Sequence, residues 1–133
     1  MPWPEEQQDR LTQFIRFCLV GSSGVVVNTA VLILLHARLH LPLVMASALA
    51  VEAAILNNFF WNNLWTFGQR QVSLVRLLKF NAVSLFGLVL TTAMLLLLVH
   101  GFGMHYVFAN LLAIGTVSIW NFLANARWTW QPD

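Results

Sequence analysis

What this chain has least of is charge. Lys, Arg, Asp and Glu make up 9% of its 133 residues while 59% are apolar, where an ordinary soluble domain carries about 25% charged residues. Such a chain cannot enclose its apolar side chains in a core and still dissolve, and its mean hydropathy of +0.71 makes lipid the solvent for most of its surface. The charges agree by position. Between Phe17 and Thr66 the acidic, basic and imidazole side chains are His36, Arg38, His40 and Glu52, and between Phe80 and Ala126 the titratable ones are His100, His105 and Tyr106.

Other absences exclude chemistry. One cysteine, Cys18, cannot form an internal disulfide. There is no glycine-rich phosphate loop, no Cys/His spacing for a metal, and no nucleophile beside a base. The expectation is therefore a chain that is not an enzyme and needs no cofactor or metal. The opening Met1-Pro2-Trp3-Pro4-Glu5-Glu6 lacks a basic region leading directly into an apolar one, so no cleavable signal is expected and the first span should be retained.

What is present is enough apolar sequence for four helical spans of about 20 residues each, near 15–37, 42–64, 78–100 and 105–127. Two short breaks, His36-Ala37-Arg38-Leu39-His40-Leu41-Pro42 and His100-Gly101-Phe102-Gly103-Met104-His105, carry turn-forming and polar residues suited to tight hairpins. A longer connection opens at Gly68-Gln69-Arg70-Gln71-Val72-Ser73. Arg10, Arg16, Arg70, Arg76, Lys79 and Arg127 flank the outer spans and the central connection, while Arg38 is the basic residue of the hairpins. By the positive-inside rule both termini and the central connection face the cytoplasm. Membrane topology thus accounts for the basic balance without nucleic acid.

Sliding residues 16–67 onto 79–130 needs no gap and gives 18 identities in 52 pairs. The matches gather in Asn58-Phe59-x-x-Asn62-x-x-Trp65-Thr66-Phe67 and Asn121-Phe122-x-x-Asn125-x-x-Trp128-Thr129-Trp130, a polar pattern that apolar bias alone does not produce. The predicted architecture is an all-α integral membrane protein, a single membrane domain over 1–133 built from two parallel two-helix repeats, 16–67 and 79–130.

Glu52 lies near the middle of the second span, where a carboxylate costs at least ~2.5 kcal/mol unless protonated, paired or facing a polar cavity. Its repeat counterpart is Gly115, so the duplicated fold does not require an acid there. Asn57, Asn58, Asn62 and Asn63 crowd the end of the second span and Asn121 and Asn125 the end of the fourth; their amides suit either helix packing or recognition of hydroxyls and phosphate oxygens. At about 100° per residue, Glu52 and Asn63 share a helix face and outline a polar track. Gly21, Gly24 and Asn28 form a small stripe, repeated as Ser84, Gly87 and Thr91, that favours close packing, with Asn28 deep enough to meet Glu52. Arg16, Lys79 and Arg127 sit at the cytoplasmic boundary, suited to lipid headgroups or a phosphate. Trp61, Trp65, Trp120, Trp128 and Trp130 have the depth of an interfacial belt, and the four histidines lie at the hairpins.

These motifs resemble the GtrA-like membrane proteins: an opening Arg16-Phe17-x-x-x-Gly21, the two Asn-Phe-x-x-Asn closings, Lys79-Phe80 and Asn125-x-Arg127-Trp128. The resemblance covers about 14–131. It implies four spans and translocation of a polyprenyl-phosphate-linked sugar across the cytoplasmic membrane for cell-surface polysaccharide synthesis or modification, with undecaprenyl-phosphate glucose or a related lipid as cargo. Where the family commonly has a basic residue after Asn62, Asn63-Leu64 stands here, which moves the expected phosphate contact onto Arg16, Lys79 and Arg127. Expected cargo-facing residues are Arg16, Asn28, Glu52, Asn58, Asn62, Asn63, Lys79, Asn121, Asn125 and Arg127. A homo-oligomer, most simply a dimer, would enclose the pathway, and a glycosyltransferase is a candidate partner. Two other readings are a small proton-coupled multidrug exporter, disfavoured because its acid usually lies in the first span, and a non-transporting scaffold for a glycosyltransferase.

Overall fold

The computed structural model describes residues 5–131, with side chains from Asp9 onward, so the expectation for the opening four residues lies outside the described residues. All regular structure among them is helical: α1 (Glu5–Leu32), α2 (Leu43–Trp61), α3 (Leu74–Leu96) and α4 (Tyr106–Ala124). Each runs on into a wider π-helical turn, Ile33–Arg38, Asn62–Thr66, Leu97–Gly101 and Asn125–Thr129 respectively. The combined helices Asp9–Arg38, Leu43–Thr66, Leu74–Gly101 and Tyr106–Thr129 contain 30, 24, 28 and 24 residues. At about 1.5 Å per residue the shortest still exceeds the ~30 Å of hydrocarbon. Only 11% to 22% of the most apolar stretch of each is buried within the protein. The outward-facing remainder is what lipid must solvate, so the chain is a multi-pass membrane protein.

The helices extend beyond the predicted spans at several ends. Polar residues at the start of α1 are good helix formers, and hydrophobicity marks where lipid begins, not where hydrogen bonding does. At the far ends the π turns add the residues through Arg38, Thr66, Gly101 and Thr129.

The chain forms two compact units, one ending at Val72 and the other beginning at Ser73. In the first, α1 and α2 pack as an antiparallel pair; in the second, α3 and α4 do. The buried face of α2 comprises Ala46, Ala50, Ile55 and Phe59, and that of α4 comprises Ala109, Ala113, Val117 and Phe122. The four alanines have no exposed surface, which lets the helix backbones approach closely.

The hairpins close alike. Leu41 N–H donates to the Leu35 carbonyl at 2.9 Å and Met104 N–H to the Leu98 carbonyl at 3.0 Å. Each closure passes through a left-handed residue, His40 (φ 60°) and Gly103 (φ 66°). Glycine adopts this conformation freely, whereas histidine at the same place in the first hairpin does so against a steric preference. A third such residue, Gly68 (φ 62°), ends the π turn after α2, where Gln69 N–H reaches the Asn63 carbonyl at 2.7 Å.

Candidate functional site

In the first unit the chemistry gathers where the middle of α1 meets the end of α2. The Arg16 guanidinium donates through Nη1 to the Trp65 carbonyl at 3.1 Å, and its Cζ lies 5.2 Å from the Trp65 ring centroid. Carbonyl and indole face together fix the cation at the helix end. Beside it opens a groove of about 640 Å³ lined by Leu19, Val20, Ser23, Trp61, Leu64 and Trp65, within the ~300–1,000 Å³ of sites that hold small ligands. Its polar group is Ser23, whose Oγ donates to the Val20 carbonyl at 2.6 Å and accepts from Asn57 Nδ2 at 3.0 Å. Trp61 is braced edge-on by Phe60, with ring centroids 5.1 Å apart. The groove thus has an apolar body, indole walls and a cation at one rim.

The expected asparagines take separate duties. Asn58 lays its amide against the backbone of Gly24, so closely that a methyl group there would sit 2.8 Å from its Cγ. Asn62, with no exposed surface, accepts from Thr66 Oγ1 at 2.7 Å. Asn63 turns away from the groove and donates through Nδ2 to the carbonyls of Gln69 at 3.2 Å and Gln71 at 3.1 Å. It thereby ties down the start of the central connection. The regular 100° step behind the polar track from Glu52 ends with α2 at Trp61, where the backbone widens into the π turn.

The second unit reproduces the packing contacts. Asn121 lies against Gly87, and Asn125 accepts from Thr129 Oγ1 at 2.7 Å while donating through Nδ2 to the Asn121 carbonyl at 2.8 Å. Lys79 Nζ lies 5.4 Å from the centroid of Trp128, as Arg16 lies over Trp65. Phe80 meets Trp130 edge to face at 5.5 Å.

Of the other expected residues, Asn28 and Glu52 are half-buried, and Arg127 is exposed in the last turn after α4. Arg16 is thus the expected residue that the first unit sets at the groove. The groove walls, Leu19, Ser23, Trp61, Leu64 and Trp65, were not among the expected cargo residues. The signal for them was available where the repeats diverge: Ser23 faces Phe86 in the alignment, Trp61 faces Ala124 and Leu64 faces Arg127.

Comparison with known proteins decides the family. A family model described as GtrA/DPMS, transmembrane domain, matches residues 16–130. The chain belongs to this family. Among curated proteins, the GtrA/DPMS chain is similar to a dolichol-phosphate mannosyltransferase of Pyrococcus furiosus, with 39% identity over 132 residues covering 98% of this chain and 36% of that protein. The chain therefore spans about a third of the length of the relative it matches.

That similarity corrects one expectation. The chain was expected not to be an enzyme, yet the relative is named as one. The absence of enzyme motifs was read from a stretch equivalent to 36% of the relative, composed of lipid-facing helices. Motifs missing from such a stretch say nothing about a protein of which it is a part.

Proposed function

We propose that the chain receives a polyprenyl-phosphate-linked sugar at the cytoplasmic face of the cytoplasmic membrane and carries it across for cell-surface polysaccharide synthesis or modification. The observation that carries this reading is Arg16 held over Trp65 at the rim of the apolar groove. A lipid-linked sugar presents a hydrocarbon chain joined to a phosphate. Lipid tails are as apolar as the cargo, so packing against the groove walls and not water release holds the chain, and guanidinium-to-phosphate bonds are charge-assisted. The family and the name of the relative, which includes dolichol phosphate, support the same lipid class. One chain has four spanning helices, which enclose little volume for a sugar, and we infer that a homo-oligomer, most simply a dimer, forms the pathway.

The test is reconstitution. Purified chain in liposomes loaded with labelled lipid-linked sugar should expose the label to an impermeant reagent faster than protein-free liposomes do. Equal rates would remove translocation from the reading.

A second reading is favoured by one specific observation, that the chain matches 36% of a mannosyltransferase. On this reading the helices hold the lipid for a glycosyltransferase. Chain that copurifies with such an enzyme and stimulates it, without moving label in liposomes, would select this alternative.

A further inference from the structure

The two units keep the same packing contacts but not the same groove. At the sequence offset that aligns them, the lining residues Leu19, Val20, Ser23, Trp61, Leu64 and Trp65 correspond to Ala82, Val83, Phe86, Ala124, Arg127 and Trp128. Two walls, Val20 and Trp65, are retained. The small Ser23 is replaced by Phe86, whose ring lies 6.4 Å from that of Trp120, and the indole of Trp61 by a methyl. By contrast, Gly24 with Asn58 and Asn62 with Thr66 recur unchanged as Gly87 with Asn121 and Asn125 with Thr129. Four of the six lining positions differ between the units, so the second unit keeps the interhelical seat without rebuilding this groove.

The cations differ as well. Arg16 commits one N–H to the Trp65 carbonyl, and a guanidinium has five in a planar fork that matches phosphate oxygens. Lys79 offers a point charge over Trp128, without that fork, and the second unit's guanidinium, Arg127, stands where Leu64 is an apolar wall of the first groove. The cation at the first groove also stands directly at its rim, against a wall residue. A prenyl phosphate has that layout, with its phosphate on the first carbon of the hydrocarbon chain. A glycerophospholipid places a glycerol and a second chain between the two.

Resting on the lipid class proposed above, we propose that each chain binds a single prenyl phosphate, in the groove of the first unit, with its phosphate on Arg16 and its first isoprene units between Trp61 and Trp65. The second unit repeats the frame without being a second lipid site. Ser23 is the specificity-determining position: a small side chain lines the groove there, where the repeat has the bulkier Phe86.

Native mass spectrometry of the purified full chain with undecaprenyl phosphate tests this. One lipid per chain is expected. Arg16→Gln removes charge-assisted bonds and should weaken binding by roughly tenfold or more. Ser23→Phe, which copies the second unit into the first, should do the same. Lys79→Gln and Phe86→Ser, both outside the groove, should bind normally. If Ser23→Phe loses helix content by circular dichroism, Trp61→Ala supplies the reading, with weakened binding expected. Two lipids per chain, loss with Lys79→Gln instead of Arg16→Gln, or equal competition by phosphatidylglycerol would each overturn the proposal. Its failure is separable from that of the transport reading. One lipid in the groove with no label movement in liposomes removes transport alone, whereas label movement that survives Ser23→Phe and Arg16→Gln removes this site alone.

Discussion

The Asn58 amide lies flush against Gly24, and 63 residues later the Asn121 amide lies flush against Gly87. In both units a glycine on the first helix is the seat for an asparagine on the second. Replacing glycine by alanine inside a helix normally favours it by ~1 kcal/mol. Here an added methyl would meet the amide, and overpacking costs about 1–3 kcal/mol. Gly24→Ala and Gly87→Ala should therefore lower stability, measured as the midpoint of unfolding in detergent titrated with dodecyl sulfate. Gly21→Ala is the control: nothing lies within 4 Å of a methyl there, so it should be neutral or stabilising. A stabilising Gly24→Ala would mean that the amide moves aside without cost.

Thr66 and Thr129 act on asparagines with 0% and 1% exposure. Thr66→Val keeps shape but leaves the Asn62 carbonyl oxygen without this donor, at a cost of ~1–3 kcal/mol. Thr129→Val should cost about the same in the same unfolding assay. Two silent variants would show that these bonds contribute no net stability.

The topology can be read with single cysteines in a Cys18→Ala background. A cysteine at Gly68 should react with an impermeant reagent from the cytoplasm only, and one at His40 from outside only. Both sites are themselves exposed left-handed turn residues, so access is set by the membrane and not by burial. The opposite pattern would invert the orientation and place Arg16 on the outer face.

Asn63 is 3% exposed and donates to the carbonyls of Gln69 and Gln71, while its counterpart Ala126 has no amide to do so. Asn63→Ala should release the start of the central connection and speed tryptic cleavage after the exposed Arg70, with helix content retained. Unchanged cleavage would mean that the turn at Gly68 alone holds this segment.

Four spans were legible because lipid-facing helices are apolar on nearly every side, a signal that survives without any knowledge of packing. The recurring Asn-x-x-x-Thr motif was legible for a different reason: Asn62 with Thr66 and Asn125 with Thr129 meet within one helix turn, so sequence spacing and spatial contact coincide. The groove was not. A tryptophan near a span end serves equally as an interfacial anchor or a wall, and which one Trp61 and Trp65 become depends on Leu19, Val20 and Ser23 of another helix. The duty of Asn63 was hidden similarly, since its partners come within reach only after the chain reverses at Gly68. The π turns also escaped the regular helical step, and the polar track drawn from Glu52 depended on that step.

Glu52 carries the remaining question, because a half-buried acid on a lipid-spanning helix belongs to function more often than to packing. Glu52→Gln keeps size and hydrogen-bonding capacity but cannot ionise. Translocation in liposomes should be abolished or strongly slowed, with helix content and the unfolding midpoint near wild type. Glu52→Leu separates the alternative: if the group serves only to join helices as a neutral acid, the amide will replace it silently and leucine will lower the unfolding midpoint. Full transport by Glu52→Gln at every pH would remove the carboxylate from the mechanism and leave the groove with Arg16 to carry the lipid.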